Sequence, residues 1–244
     1  MKNKLSILIA SVVTLSAVLP QSSNAQSSGE DKREAAFKLK GGVKGGMNIA
    51  NITIDNDGNV NDKRAIASYN VGFYADLALL PVFSIQPGLF LTGKGSKFTI
   101  GDEGSANYTR VTARPLYLEL PVNVVVKLPL FNKVRLFFGA GPYVAMGIAG
   151  KNTVDGRLVG VSYSNDENIK FSNDGLNGNN GSAYEGNFKR FDAGFNFIGG
   201  LEISHFTLNA NYGYGVVNIK PGSSNGVDNK YQNRVASIQV GFIL

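Results

Sequence analysis

With a single histidine, His205, and no cysteine, the chain has few side chains suited to catalysis. A serine or threonine nucleophile would need His205 as its base, within hydrogen-bond reach and held in a pocket. His205 follows "GLEIS" and precedes "FTLN", the place of a two-residue turn between strands, so its ring is predicted to face solvent. Glu119, Asp192 and Glu202 could form paired acid and base carboxylates. By the alternation described below they share a face with Asp76 and with Lys40, Lys44, Lys94, Arg135 and Arg190, which predicts a charge-compensated interior instead. The tract "DNDGNVND" suggests calcium ligands. Counted from Asp55, however, glycine arrives at position four and Ile66 stands at position twelve, where an EF-hand needs glycine at six and a bidentate glutamate at twelve. Without cysteine there is neither a disulfide nor a thiolate metal site, and the glycines are interleaved with apolar residues or lie in polar tracts. The sequence calls for no enzymatic activity, no metal and no cofactor.

The elements that must position these residues are strands. In "RPLYLELPVNVVVKL", residues 114–128, every second residue from Leu116 to Leu128 is aliphatic, while Tyr117, Glu119, Pro121, Asn123, Val125 and Lys127 form the other face. Successive side chains of a strand point to opposite sides, so one face is greasy and the other mixed. A soluble sheet would turn the greasy face inward; a transmembrane barrel turns it toward lipid.

The chain opens with Lys2 and Lys4, an apolar stretch from Leu5 to Leu19, and Ser23-Asn24-Ala25. That order predicts a secretory signal peptide over 1–25, too short to span a membrane as a helix. A polar, flexible lead-in is expected over 26–36. Taking two bases from 24 leaves 22 against 18 acids, a net charge of +4, too mild and dispersed to imply nucleic acid.

From residue 37 to residue 244, alternation of period two marks eight segments, at about 38–52, 68–79, 83–97, 114–128, 133–149, 189–203, 206–218 and 233–244, each at or above the roughly 9 to 11 residues of a tilted transmembrane strand. Their outward sets, such as Phe73, Leu77, Phe138, Val144, Phe195, Phe197, Ile238 and Val240, carry no charge at their centres. The connections after the second, fourth and sixth segments are tight ("LPV", "PLFN", "SH"), and the other four are long and polar. An even strand count with short turns on one side and long loops on the other is the outer-membrane barrel pattern. The predicted fold is all-β, an eight-stranded antiparallel up-and-down transmembrane barrel. "GRLVGVSYS" in the third long loop is read as an extracellular hairpin. A barrel of this size has an interior that side chains can fill, and Tyr74, Phe90, Tyr117, Phe137 and Tyr143 are placed inside it with the charges.

"KGGMNIANI", "LYLELPVNVVVKL", "LFFGAGPYVAMGI", "FDAGFNFIGGLEI", "LNANYGYGVVNI" and the closing "NRVASIQVGFIL", in this order, resemble the PorT-like outer-membrane β-barrel family of Bacteroidota. The resemblance covers nearly all of the chain beyond the leader. It implies an OmpA/OmpX-like barrel in the outer membrane, and in the founding member a link to type IX secretion. Barrels of this kind usually end in an aromatic residue; here Leu244 is last and Phe242 stands two before it.

The leading functional expectation is a non-enzymatic barrel serving as an interaction or secretion-accessory component. The alternatives are an adhesin or ligand-binding barrel acting through the 150–188 loop, and a small passive channel. Expected partners are outer-membrane lipid and lipopolysaccharide, the β-barrel assembly machinery and proteins of secretion, with no nucleic acid.

Overall fold

The structure, a computed structural model, describes residues 38–54, 63–101, 105–171, 187–219 and 231–244. The expected signal peptide and lead-in, the "DNDGNVND" tract and "SNDGLNGNNG" lie outside the described residues.

Eight strands form the wall: β1 (Lys38–Ile54), β2 (Ile66–Ala78), β3 (Phe83–Gly93), β4 (Tyr108–Phe131), β5 (Val134–Leu158), β6 (Phe191–Ile203), β7 (Phe206–Gly215) and β8 (Tyr231–Ile243). Each pairs antiparallel with the next, and β8 returns to β1, with Gly42 opposite Ile243 and Ile54 opposite Tyr231. The ring is closed, which removes the unpaired edges that an open sheet would leave in lipid. Among the described residues no helix is long and apolar enough to cross a membrane. The crossing is made by strands.

The alternation is realised along every strand. On β4, Tyr117, Glu119, Asn123, Val125 and Lys127 are buried while Leu120, Val122 and Val124 are exposed. An exposed apolar belt of Phe73, Leu91, Val124, Phe138, Val144, Phe197, Ile238 and Val240 circles the outside. That is the inverse of a soluble core, because the solvent for this face is hydrocarbon. Phe83, Phe131, Phe206 and Phe242 stand at the end with the tight turns, the last two ring edge to ring face at 5.4 Å.

Several glycines let this narrow ring close. A Cβ at Gly141 would lie 1.9 Å from the Val122 carbonyl oxygen, and one at Gly46 would lie 2.0 Å from that of Ile238. At such positions the adjacent backbone occupies the space of a side chain.

Three boundaries differ from the sequence reading. The third segment is interrupted after Gly93: Gly95 has φ +127°, and Ser96–Ile100 continues as a separate piece paired with β4. The cause is opposite, where Pro115 has no N–H to give, although its carbonyl still accepts from the Lys94 N–H at 2.9 Å. The fourth and fifth strands also run on, to Tyr108 and to Leu158, and a turn at Val159-Gly160 leads to Val161–Asn168, paired back on β5. This is the expected hairpin, but it rises directly from the wall. The period-two signal fades there because above the membrane no face meets lipid, and Val111, Thr112 and Ala113 are buried in succession.

Candidate functional site

Inside the barrel the polar side chains form three levels. Nearest the tight turns, Lys127 Nζ is ion-paired with Asp76 and lies 3.0 Å from Glu202 Oε2, whose Oε1 accepts from Arg135 at 2.5 Å. Gln86 donates to the same oxygen of Asp76 at 3.2 Å. The strands bring these together by register: Arg135 on β5 is directly opposite Glu202 on β6.

At mid-height Lys44 lies over the Tyr74 ring at 4.0 Å and the Phe137 ring at 5.8 Å, a cation held by aromatic faces. Beside it runs a chain of side-chain hydrogen bonds. Asn209 donates to Gln239 at 2.8 Å, Gln239 to Asn70 at 2.6 Å, and Asn70 to Asn48, which also accepts from Ser237 at 2.8 Å.

Toward the loops, Lys94 Nζ meets Glu119 Oε2 at 2.8 Å and Asp192 Oδ2 at 2.9 Å. Glu119 and Asp192 each stand opposite Ala145 on β5, one from either side, so the small Ala145 leaves room for the Lys94 ammonium between them. Tyr143 lies 4.3 Å below that ammonium, and Asn233 donates to Asp192 at 2.9 Å.

The buried and half-buried interior charges balance. Lys44, Lys94, Lys127 and Arg135 match Asp76, Glu119, Asp192 and Glu202, four against four. Burying ions is tolerable when they are paired and hydrogen-bonded: each carboxylate here has a cation partner and Lys44 rests on aromatic faces, while Asp76 Oδ1 and Asp192 Oδ1 are left without a hydrogen-bond partner among the described residues. A central cavity of about 40 Å³ remains, room for a few waters at roughly 10 to 15 Å³ each, and a hollow of about 250 Å³ opens at the turn end beside Lys40, Asp76, Lys127 and Arg135. At the loop end the mouth is closed by apolar groups: Ile52, Ala113, Ile169, Phe188 and Ile219 form one buried cluster, with Phe171 and Tyr231 packed on it. Ile169 is tied to the wall by its N–H donating to the Gly150 carbonyl at 2.9 Å, and Phe171 meets the Tyr117 ring edge-on at 5.9 Å.

Above the mouth, Ser96–Ile100, β4 and β5 continue as a sheet whose last strand, Val161–Asn168, is exposed at every residue. Lys151 and Asp166 pair at 2.9 Å on it, and that hydrogen bond holds the Asp166 carboxyl below its ordinary range. Leu158, Val159 and Val161 form an apolar tip, with Val159 at φ +50°.

The sequence matches the family described as "Outer membrane protein beta-barrel domain" over residues 24–220, most of the chain. The chain belongs to this family. Its place is therefore the outer membrane. Among solved structures this outer-membrane barrel is similar to Ail, the attachment invasion locus protein of Yersinia pestis, at 12% identity and a TM-score of 0.37, covering 84% of this chain and 98% of that one. It is also similar to Neisserial surface protein A, at 9% identity and a TM-score of 0.36, covering 83% and 96%. The architecture here is read from the closed ring and the family match. Comparison with curated proteins gives no match.

Of the residues that the sequence places in the barrel's interior network, the structure brings Asp76, Lys94, Glu119, Arg135, Asp192 and Glu202 into ion pairs. Two do not belong. Lys40 is exposed at the turn-end rim, although opposite Asp76 in register. Arg190 is exposed at the loop end and donates to the Phe171 carbonyl at 3.5 Å; it immediately precedes the first residue of β6, where the wall no longer dictates an inward direction. Of the cations that share the inward face with Glu119, Lys94 is the one that pairs with it, and Lys44 is held by Tyr74 and Phe137. The residue missed is Lys127, which joins Asp76 to Glu202. Its parity with Glu119 on β4 was the available signal. His205 lies in its turn, exposed, with Nδ1 3.1 Å from Ser204 Oγ and its ring stacked on Phe242.

Proposed function

We propose that this outer-membrane barrel is a non-enzymatic interaction protein that recognises a protein partner through the extracellular sheet. The observation that carries the reading is the contrast between its two ends of polarity. The lumen is packed, charge-balanced and capped, whereas the β4–β5 wall continues outward into a hairpin with an eight-residue exposed edge strand and an apolar tip. An exposed edge offers backbone donors and acceptors to an added strand. Functional surfaces on rigid scaffolds concentrate in such projecting connections. Every interior carboxylate in the described lumen is engaged by a cation, which supports a structural role for the acids. The resemblance to PorT-like barrels makes a secretion component the first partner to seek.

The test removes the hairpin without touching the cap. Residues 154–165 are replaced by Asn-Gly, joining Thr153 to Asp166, which are already opposite one another; Ile169 and Phe171 remain. The shortened barrel should reach the outer membrane at wild-type level and lose the partner captured by photo-crosslinkers at Val161 and Tyr163 in intact cells. If the same partner is still captured through other sites and surface binding and protein export are unchanged, the sheet is not the working surface. Loss of export with retained surface binding identifies the partner as part of a secretion system.

A further inference from the structure

The outer face of the extracellular sheet carries a second feature, independent of its edge. Register places Arg64 opposite Lys97 and Arg114 opposite Lys151. Lys97 is opposite Thr112, two residues from Arg114 on the same strand, so all four cations share one face. On β4 this face is continuous with the lipid-facing one: Arg114, Leu116, Leu118 and Leu120 follow at every second residue. On β5, Lys151 stands two residues beyond the outward-facing Ala149, which is opposite Leu116. At about 3.3 Å per residue along a tilted strand, Arg114 and Lys151 stand within one headgroup's depth of the apolar belt.

Like charges directly opposite on neighbouring strands destabilise a sheet, and here two such pairs lie side by side. The acids on this face offset only part of that charge. Asp166 answers Lys151 at 2.9 Å and Asp155 answers Arg110 at 3.1 Å. Among the described residues, neither Lys97 nor Arg114 has an ion-pair partner. A cationic face directly above an apolar one fits an amphiphile with an anionic head. Arginine's planar fork favours phosphate oxygens in particular.

We propose that Arg64, Lys97, Arg114 and Lys151 bind the phosphate-bearing headgroup of a lipid in the outer leaflet, whose acyl chains lie along Leu116, Leu118, Met146 and Ile148. The site requires only that the barrel be in the outer membrane, and stands or falls separately from the partner reading above.

Purified full-length protein in a neutral detergent is titrated with phosphatidic acid and with phosphatidylcholine of the same chain length, and bound lipid is counted by native mass spectrometry. Phosphatidic acid should be retained in preference. The double variant Arg114→Gln, Lys151→Gln should bind it roughly thirtyfold more weakly, from about fivefold per surface cation against an anionic lipid. Lys170→Gln, an exposed cation outside this set, should leave binding unchanged. Faster gel migration without heating shows that each variant is folded. In the wild type, a photoactivatable phosphatidic acid should label residues within 112–118 or 146–153, which keeps the test open should the double variant not assemble. Equal binding by the double variant, or labelling confined to other strands, overturns the proposal. Full displacement by inorganic phosphate at the same concentration overturns the lipid as the ligand in favour of a free anion.

Discussion

A buried lysine between two carboxylates dominates the residue scale. Lys94 reaches Glu119 and Asp192 from strands far apart in sequence, and all three are almost wholly withdrawn from water. Removing the cation leaves two buried anions facing each other, and breaking a buried pair in this way costs about 3 to 5 kcal/mol. Lys94→Met is therefore expected to lower the midpoint of urea unfolding strongly, and adding Glu119→Gln and Asp192→Asn should restore much of the loss. A double-mutant cycle separates the two lysines. Glu119→Gln should couple to Lys94→Met by more than about 0.5 kcal/mol and be additive with Lys44→Met within that limit, since Lys44 is held by Tyr74 and Phe137. Coupling to Lys44 of the same size would show that Glu119 is shared between the two cations.

For the strands, curvature decides what each position can hold. Where β5 passes β4 at Gly141, the neighbouring backbone lies where a Cβ would be, whereas at Gly41 on β1 nothing stands within 4 Å of that position. Gly141→Ala is expected to destabilise the barrel by about 1 to 3 kcal/mol or to halt its assembly, the usual result of overpacking. Gly41→Ala should be close to neutral. The fraction of heat-modifiable protein in outer-membrane preparations measures both, and an assembled, wild-type-stable Gly141→Ala would mean that β4 and β5 separate more easily than their register implies. The same closeness explains why inward positions are so often glycine: the ring is narrow, and only some inward sites can carry a side chain.

Taken as a whole, the molecule is a wall around a polar solid. Its two ion clusters are joined by the Asn and Gln chain at mid-height, and the mouth is covered by Ile169, Phe171, Phe188 and Ile219. With about 40 Å³ left at the centre, the middle of the barrel holds little room for a hydrated ion. Reconstituted into planar bilayers, the protein is expected to show no steady conductance. A sustained current that persists through both polarities would show that the cap and the charge clusters open together, and would return the passive channel to consideration.

Which parts of this were legible in the sequence follows from what each depends on. The direction of a side chain depends only on the parity of its position, a local property. Phe73, Leu118, Val124, Phe138 and Phe197 were therefore readable as lipid-facing, and Asp76, Lys94, Glu119, Asp192 and Glu202 as inward, from the chain alone. The alternation of tight and long connections likewise fixed the up-and-down order and distinguished the two ends. Partnership inside the lumen depends on something no single strand contains, the height at which each residue stands after eight strands are staggered and closed. That stagger places Glu119 and Asp192 on either side of Ala145 and carries Lys127 to Asp76 and Glu202. It also leaves Lys40 and Arg190 beyond the ends of the filled interior, although parity alone had put them with the rest. The cap, and the continuation of the wall into the extracellular hairpin, were beyond the sequence for a second reason. Above the hydrocarbon no lipid-facing side imposes a period, so the run from Tyr108 to Ala113 and that from Lys151 to Asp155 read as polar loop, until pairing with their neighbours made them strands.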